Sequence, residues 1–415
     1  MSIQGQVDHL AAGDGQAPTV GVEEEHFLVH PGSRAVESAG PRVVARATPV
    51  LGDLVSGEYT QCQIEVKTPP CSDGAQLRAE LARLRAGAAA AAREEGLRLC
   101  ASGTPVLRSG GPSDIGANPR YQKALGQYRS ALEDFEVCAL HVHVRVDDRE
   151  LAVLAANHVR PWLPLLVAMS ANSPYCDGRD TGYESWRSMV RGQFPCWGPP
   201  PYAGSLEHYR RLATAMQDVD AMPDAAYAYW DLRPHARFPT LEVRAMDVPV
   251  DVDDSAALAL LVRALVATAV DRARRGDPGP EPCSELLRAA YWRAARDGWP
   301  GDGVCALTGE IVPSSVQAER LVEDVRPALE AYGDLETVED FLRRLAKHGT
   351  GAQRQRAAAE RRTERQGAPE LEEGAPDGDG GVTRGIVDDL VVRTEAGTGP
   401  GAPDRERLLR AEVRG

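Results

Sequence analysis

Four short runs of this 415-residue chain alternate apolar and polar residues, and this alternation constrains the fold more than any other feature. The runs lie at residues 19–29, 61–66, 138–146 and 240–246. Because successive side chains of a β-strand point to opposite faces, each run predicts a strand with one apolar and one polar face. Strands of a doubly wound parallel sheet are instead apolar on both faces. The pattern therefore favours an α+β fold with a mostly antiparallel sheet that helices cover on one face.

Apolar residues at helical spacing between these runs predict the helices. Asp73, followed by Gln76, forms a capping box at the start of one such helix, and three leucines follow at helical spacing. Similar patterns lie near residues 151–170, 255–275, 284–297 and 316–347. The stretch 151–171 is the most apolar, but it contains His158, Arg160 and two prolines, so we expect no ordinary membrane span.

Composition divides the chain into three parts. Residues 1–17 are polar and rich in Gly and Ala, which is typical of a flexible N-terminus. Residues 18–356 carry the strand and helix patterns and are predicted to form the folded domain. Residues 357–415 are rich in Arg, Glu, Gly and Pro apart from a short apolar patch at 386–392, and they predict a polar, largely disordered C-terminal tail.

The charge balance and the missing motifs exclude several classes of protein. The formal net charge of −14 argues against nonspecific nucleic-acid binding, which needs a basic face. The eight cysteines form no CxxC pair and no secretory leader opens the chain, so we expect reduced thiols in the cytoplasm. The sequence has no phosphate-binding P-loop, and 44 of its 47 basic residues are arginine. Any nucleotide must therefore be held by metals and guanidinium groups.

Glu23 and Glu25 lie two positions apart in the first run, so their side chains share one face of the predicted strand. Carboxylates at this spacing, about 6.5–7 Å, repel each other unless a positive group lies between them. A hard divalent cation with oxygen ligands would satisfy both, and an exposed acidic edge strand is the alternative. Glu24 points to the other face and is expected to tolerate substitution.

The second and third runs carry further candidate ligands. His141 and His143 share one strand face and could bind a transition metal or reach a nucleotide, whereas core histidines satisfied by neighbours are the alternative. Glu58 and Glu65 lie seven positions apart, which places them on opposite faces of a regular strand. Their convergence requires a turn or bulge near Thr60.

The fourth run places Glu242 and Arg244 on one face. This arrangement combines a metal or proton ligand with an anion-binding guanidinium, and a surface ion pair is the alternative. The polar, aromatic stretch 171–187 suits a loop that closes over a substrate, or a long structural connection.

The order of the motifs is more specific than any one of them. GVEEEHFLV, GEYTQCQIEVKTPPCSD, LHVHVRV, SANSPYCDGRDTGYESWR, YWDLRPHARFPTLEVRAMD, WRAARDGW and GAQRQR follow one another between about residues 19 and 356. This series resembles the bacterial glutamate–cysteine ligase type 2 family of carboxylate–amine ligases. The resemblance implies a glutamine-synthetase-like catalytic fold, in which the concave face of a curved, mostly antiparallel sheet binds ATP through Mg²⁺ or Mn²⁺.

The resemblance also implies roles for individual residues. The expected metal ligands are Glu23, Glu25, Glu58, Glu65, His141 and Glu242. Arg233 and Arg244 are expected to hold phosphate or the charge that develops on an acyl phosphate, and Arg187 is the candidate for a substrate carboxylate. His143 is expected to touch nucleotide or substrate.

The implied activity is ATP-dependent formation of a γ-glutamyl amide through an acyl phosphate. The expected substrates are small molecules, namely glutamate with cysteine or another amine, and a homodimer is expected from the family. The alternatives are a ligase that joins glutamate or another carboxylate to a different amine in specialised metabolism, a guanidino-kinase-like phosphotransferase, and a noncatalytic nucleotide sensor. The identity of the product separates the two enzyme classes.

Overall fold

The computed structural model describes residues 17–366 and 381–396. In chain order, the strands β1 to β11 of this part are Val20–Val29, Val55–Gly57, Gln63–Lys67, Arg98–Cys100, Ala139–Arg145, Tyr175–Cys176, Arg179–Asp180, Leu232–Pro234, Thr240–Asp247, Asp302–Val304 and Ile311–Pro313. The helices α1 to α13 are Gly40–Leu51, Gly74–Glu94, Pro119–Tyr128, Arg149–Val159, Leu163–Ser170, Trp186–Arg191, Leu206–Asp218, Val252–Arg274, Ser284–Asp297, Ser314–Tyr332, Leu335–His348, Gly351–Gln366 and Gly381–Glu395.

The main sheet has seven strands, and every pairing in it is antiparallel. Six of the strands follow the order β2-β3-β1-β5-β9-β8, and β4 pairs with the far end of β1. The four predicted runs correspond to β1, β3, β5 and β9, which are neighbours in this sheet. The predicted antiparallel sheet flanked by helices is therefore present.

The two faces of the sheet have opposite characters. Val22, Val142 and Val243, from three adjacent strands, are at most 1% exposed and pack in one core with helix α8. Burial of each such side chain contributes about 1.5–3 kcal/mol to folding. The other face of the same strands presents carboxylates, imidazoles and guanidinium groups, so the helical layer leaves only the polar face open for binding.

Helix α2 begins as the sequence predicts, because the side chain of Asp73 accepts a hydrogen bond from the backbone amide of Gln76 at 2.8 Å. Arg85 of this helix is fully buried and donates to both carboxylate oxygens of Glu24, at 2.7 and 2.6 Å. Glu24 also has no exposed surface. The expectation that Glu24 tolerates substitution is therefore wrong, because this fully buried carboxylate depends on the guanidinium of Arg85 as its main partner.

Helix α13 lies within the stretch 357–415 whose composition predicts a largely disordered tail. The prediction does not hold for residues 381–395, because their apolar side chains are buried in a core that also contains Phe27 of β1. Glu395 at the end of the helix accepts hydrogen bonds from Arg98 at 2.9 Å. Helix α12 also continues to Gln366, beyond the predicted boundary at residue 356. The predicted flexible terminus, apart from residue 17, and the rest of the tail lie outside the described residues.

The stretch Arg149–Ser170, which contains α4 and α5, is long and apolar enough to cross a membrane by length and composition. In its most apolar window, however, 83% of the residues are buried inside the protein. Such burial is typical of a core helix, because a helix packed on all sides by protein needs no lipid to cover it.

Candidate functional site

The polar face of the sheet borders a cavity of about 290 Å³. Eight of the ten predicted site residues line this cavity: Glu23, Glu25, Glu58, Glu65, His141, Arg187, Arg233 and Arg244. The other two, His143 and Glu242, lie on β5 and β9 and contact residues that do. The fold thus brings together side chains that are more than 200 positions apart in the sequence.

Strand register explains why the acidic residues converge around His141. Glu23 lies opposite His141 across the β1–β5 pairing, and Glu25 lies opposite Glu65 across the β1–β3 pairing. The Nδ1 atom of His141 is 3.3 Å from a carboxylate oxygen of Glu23, and its Nε2 atom is 3.7 Å from one of Glu25. Two overlapping groups result, Glu23–His141–Glu242 and Glu25–Glu65–His141, and within each the three ligand atoms lie within 4.8 Å of one another.

A turn between β2 and β3 supplies the reversal that Glu58 requires. The amide of Gln63 donates to the carbonyl of Thr60, and Ser56 pairs with Glu65, so Glu58 lies at the start of the turn. One carboxylate oxygen of Glu58 accepts hydrogen bonds from its neighbour's amide at 2.7 Å and from the hydroxyl of Tyr121 at 3.3 Å. The turn predicted near Thr60 is therefore present.

The crowding of carboxylates changes their affinity for protons. Burial and the nearby charge of Glu25 raise the pKa of Glu58 to about 7. Burial and the charge of Glu23 raise the pKa of Glu65 well above its usual range. For Glu23, burial acts in the same direction, but hydrogen bonds from His141 and His143 outweigh it and hold the pKa well below the usual range. Two of these carboxyls therefore lie in a negative potential that a cation would relieve.

The β8–β9 side of the site is basic. Arg233 donates to both carboxylate oxygens of Glu242, at 2.8 and 3.2 Å, and Arg244 also donates to Glu242. Burial raises the pKa of Glu242, but the two guanidinium groups outweigh it and hold the pKa well below the usual range. His143 faces the same carboxylate, and Glu242 and Glu23 together raise its pKa although burial opposes them. Glu242 is thus the junction between the acidic and basic halves of the site.

Arg187 lies beneath the site with a side chain that is only 1% exposed. Its two terminal nitrogens donate to the backbone carbonyls of Arg244 and Ala245, each at 3.1 Å. Arg191 donates to the same Arg244 carbonyl at 3.0 Å. These contacts fix the backbone of β9 and leave only Nε of Arg187 without a hydrogen-bond partner.

The stretch 171–187 is largely a structural connection. Ser173 and Ser185 have no exposed surface, and both donate to the carboxylate of Asp247 at the end of β9, at 2.6 and 2.9 Å. Buried segments with saturated hydrogen bonds do not open readily. The sequence leaves open whether this stretch closes over a substrate or is a long structural connection, and the structure supports the structural connection.

Sequence reasoning missed several residues of the cavity. Lys67 pairs with Glu65 at 2.7 Å and lies opposite Glu23, and strand alternation could have found it because it lies two positions after Glu65. The inner wall is aromatic: Tyr59, Tyr121, Tyr128, Phe135, Trp197 and Tyr229. These rings come from turns, loops and α3, which carry no periodic signal that points to the site.

Comparison with known proteins shows that the chain with this sheet, acidic cluster and flanking arginines is an ATP-dependent carboxylate–amine ligase, and it also gives the family. The sequence model of "Glutamate-cysteine ligase family 2" matches residues 19–374, and the chain belongs to this family. A relative from Mycolicibacterium vanbaalenii, named "Putative glutamate--cysteine ligase 2-2", is 43% identical over 342 residues, which are 82% of this chain and 93% of the relative. The protein is therefore an ATP-dependent ligase that forms a carbon–nitrogen bond.

Solved structures bear out the fold. A glutamate–cysteine ligase from Francisella tularensis, crystallised with AMP, matches with a TM-score of 0.63 at 13% identity, over 96% of this chain and 94% of that one. The ligase PafA, in its complex with the ubiquitin-like protein Pup, matches with a TM-score of 0.54 at 11% identity, over 98% and 77% of the two chains. The predicted glutamine-synthetase-like α+β fold is confirmed.

Proposed function

We propose that the protein uses ATP and Mg²⁺ to join the γ-carboxylate of glutamate to an amine, with L-cysteine as the first acceptor to test. The observation that carries this proposal is the pair of overlapping ligand groups centred on His141. The names of the relatives supply glutamate and cysteine as candidates. In the reaction, a carboxylate oxygen attacks the γ-phosphorus of ATP and ADP leaves, after which the amine attacks the acyl carbon, loses a proton and releases phosphate.

The donor set fits a hard divalent cation. Carboxylates and one imidazole surround the cavity, and burial together with the negative charge of neighbouring glutamates raises the pKa values of Glu58 and Glu65. We assign the metal shell to Glu23, Glu25, Glu58, Glu65, His141 and Glu242. Bound Mg²⁺ supplies neutralisation of the phosphate charge, which would otherwise repel the incoming carboxylate. Mn²⁺ has the same ligand preference and is the alternative ion.

The basic side of the site has a separate task. Arg233 and Arg244 face the cavity, and we assign to them the phosphate and the charge that develops on the acyl phosphate. His143, between Glu23 and Glu242, is assigned to nucleotide or substrate. Arg187 remains the candidate for a substrate carboxylate through Nε, and its backbone contacts also make it a support for Arg244.

The decisive experiment measures phosphate release from ATP and Mg²⁺ with L-glutamate, with and without a panel of amines headed by L-cysteine. Products are identified by mass. A γ-glutamyl product establishes the ligase and names its acceptor. A phosphorylated guanidine would instead indicate the guanidino-kinase alternative, and ATP binding without any phosphate release would indicate a nucleotide sensor.

Site variants test the metal shell. Glu23→Gln keeps the size of the side chain but removes a charge next to His141, and it should lower kcat at least about 100-fold. Glu207→Gln, on a glutamate that is 84% exposed and far along the chain in α7, is the matched control and should retain full activity. Full activity of Glu23→Gln would remove this residue from the assignment.

Assembly and location belong to the same proposal. All eight cysteines lie in described residues and are free, which supports a reducing compartment such as the cytoplasm. We also propose the homodimer that the family resemblance implies. Light scattering on purified protein would decide between monomer and dimer.

A further inference from the structure

The hairpin that joins β8 to β9 carries an exposed aromatic ring at the rim of the cavity. Phe238 is 56% exposed. Its ring stacks nearly parallel on that of His235, with 4.8 Å between ring centroids and 10° between ring planes. Both residues line the same cavity as the carboxylates. An apolar ring that remains in water beside a binding cavity offers a surface for a planar ligand.

The hairpin holds this pair, the Phe238–His235 platform, in a fixed orientation. The Nδ1 atom of His235 accepts hydrogen bonds from the backbone amides of Arg237 and Phe238, at 3.3 and 3.0 Å. The ring of His143 meets that of His235 edge to face, with centroids 5.3 Å apart. Both contacts fix the imidazole on which the Phe238 ring stacks, so the inner ring of the platform is preorganised before a ligand binds.

We propose that the Phe238–His235 platform binds the adenine base of ATP, a proposal that rests on the ligase function proposed above. Three contacts connect the platform to the acidic cluster: Phe238 to His235, His235 to His143, and Nε2 of His143 to Glu23 at 3.5 Å. In this proposal the base stacks on Phe238, and the ribose and triphosphate extend toward Glu23 within the cavity that both residues line. Arg233, at the base of the hairpin, lies on the cation-rich side of this path.

The position of the platform favours a nucleotide base over the acceptor amine. The acceptor has to reach the acyl carbon beside the carboxylates, and an exposed rim is too far out for a group only a few bonds long. The aromatic rings at the inner end of the cavity, in contrast, lie directly against the acidic cluster. The Tyr121 hydroxyl, for example, donates to Glu58 at 3.3 Å. A base is separated from the reacting phosphorus by a ribose and two phosphates, and stacking tolerates one face in water.

The test compares a ligand that carries a base with one that lacks it. Dissociation constants for ATP and for inorganic tripolyphosphate are measured by titration calorimetry, in Mg²⁺ and without glutamate or amine. Phe238→Ala should raise the Kd of ATP about tenfold, the typical loss of one stacking partner, and leave the Kd of tripolyphosphate unchanged. Phe238→Tyr retains a ring and should bind ATP like the wild type.

Trp292→Ala is the matched control, because Trp292 is an aromatic residue of α9 that is 43% exposed and outside the cavity lining. The proposal is overturned if Phe238→Ala leaves the Kd of ATP unchanged or weakens both ligands equally. It is also overturned if wild-type protein binds tripolyphosphate as tightly as ATP. The readout is binding, so a protein that needs Phe238 for ATP but makes no γ-glutamyl product would refute the proposed function and leave the platform in place.

Discussion

The buried ion pair between Glu24 and Arg85 predicts one of the largest stability effects in the protein. Both side chains have no exposed surface, and besides Glu24 the guanidinium donates to three further oxygens, on residues 249, 250 and 255, at 2.7 to 3.1 Å. Arg85→Met would leave the Glu24 carboxylate buried and uncompensated, which costs about 3–5 kcal/mol. A typical domain is stable by about 5–15 kcal/mol, so this single change would remove a large fraction.

Urea denaturation followed by circular dichroism measures the effect as a change in the midpoint at constant slope. Glu24→Gln should cost less, about 1–3 kcal/mol, because Arg85 keeps a neutral acceptor and its three other partners. Adding Glu24→Gln to Arg85→Met should restore part of the loss, since no unpaired charge remains. Arg83→Met, on an arginine of the same helix that is 45% exposed, is the matched control and should change stability by less than about 0.5 kcal/mol. If Arg85→Met stays within about 1 kcal/mol of wild type, the argument from burial fails.

Three further predictions concern the C-terminal helix and the metal. Glu395→Ala removes the acceptor that Arg98 uses at 2.9 Å, and it should lower the free energy of unfolding by about 1–3 kcal/mol in the same urea assay. An unchanged midpoint would mean that the Arg98–Glu395 pair does not contribute to the stability of the protein. Removal of divalent ions with EDTA should abolish phosphate release, and added Mg²⁺ should restore it. Mg²⁺ alone should also raise the melting temperature of wild type more than that of Glu65→Gln, because it binds the folded state; equal shifts would argue against Glu65 as a ligand.

The polar face of the sheet could be predicted because alternation is a local property. Two residues at positions i and i+2 of a strand share a face whatever the rest of the chain does, so Glu23 with Glu25 and His141 with His143 follow from the sequence directly. The order of the strands does not follow from alternation, and it is the register across β1, β3 and β5 that brings Glu65 and His141 to the same point.

The errors have a common physical cause, namely partners that are distant in sequence. Glu24 looked tolerant because its partner Arg85 lies 61 positions away on a helix. The 381–395 helix was missed because the amino-acid composition is an average over the whole tail. Such an average does not show that the apolar face of one segment packs against Phe27. The backbone contacts of Arg187 with β9 were also missed, because a backbone carbonyl is a kind of partner that leaves no mark in the sequence. Its role toward a substrate carboxylate stays a proposal.

Glu242 shows that strand pairing decides which interactions a substitution removes. The sequence pairs it with Arg244 alone, but β8 lies beside β9 and brings Arg233 to the same carboxylate. Glu242→Gln would therefore remove the charge that two guanidinium groups pair with at the same time as it removes a metal ligand, and a loss of activity could arise from either change. Glu23 contacts His141 and His143, at 3.3 and 3.5 Å, and is not part of the Arg233–Glu242–Arg244 group. Glu23→Gln leaves the Arg233–Glu242–Arg244 arrangement intact. It therefore tests the metal shell separately from the phosphate-binding side, which Glu242→Gln cannot do.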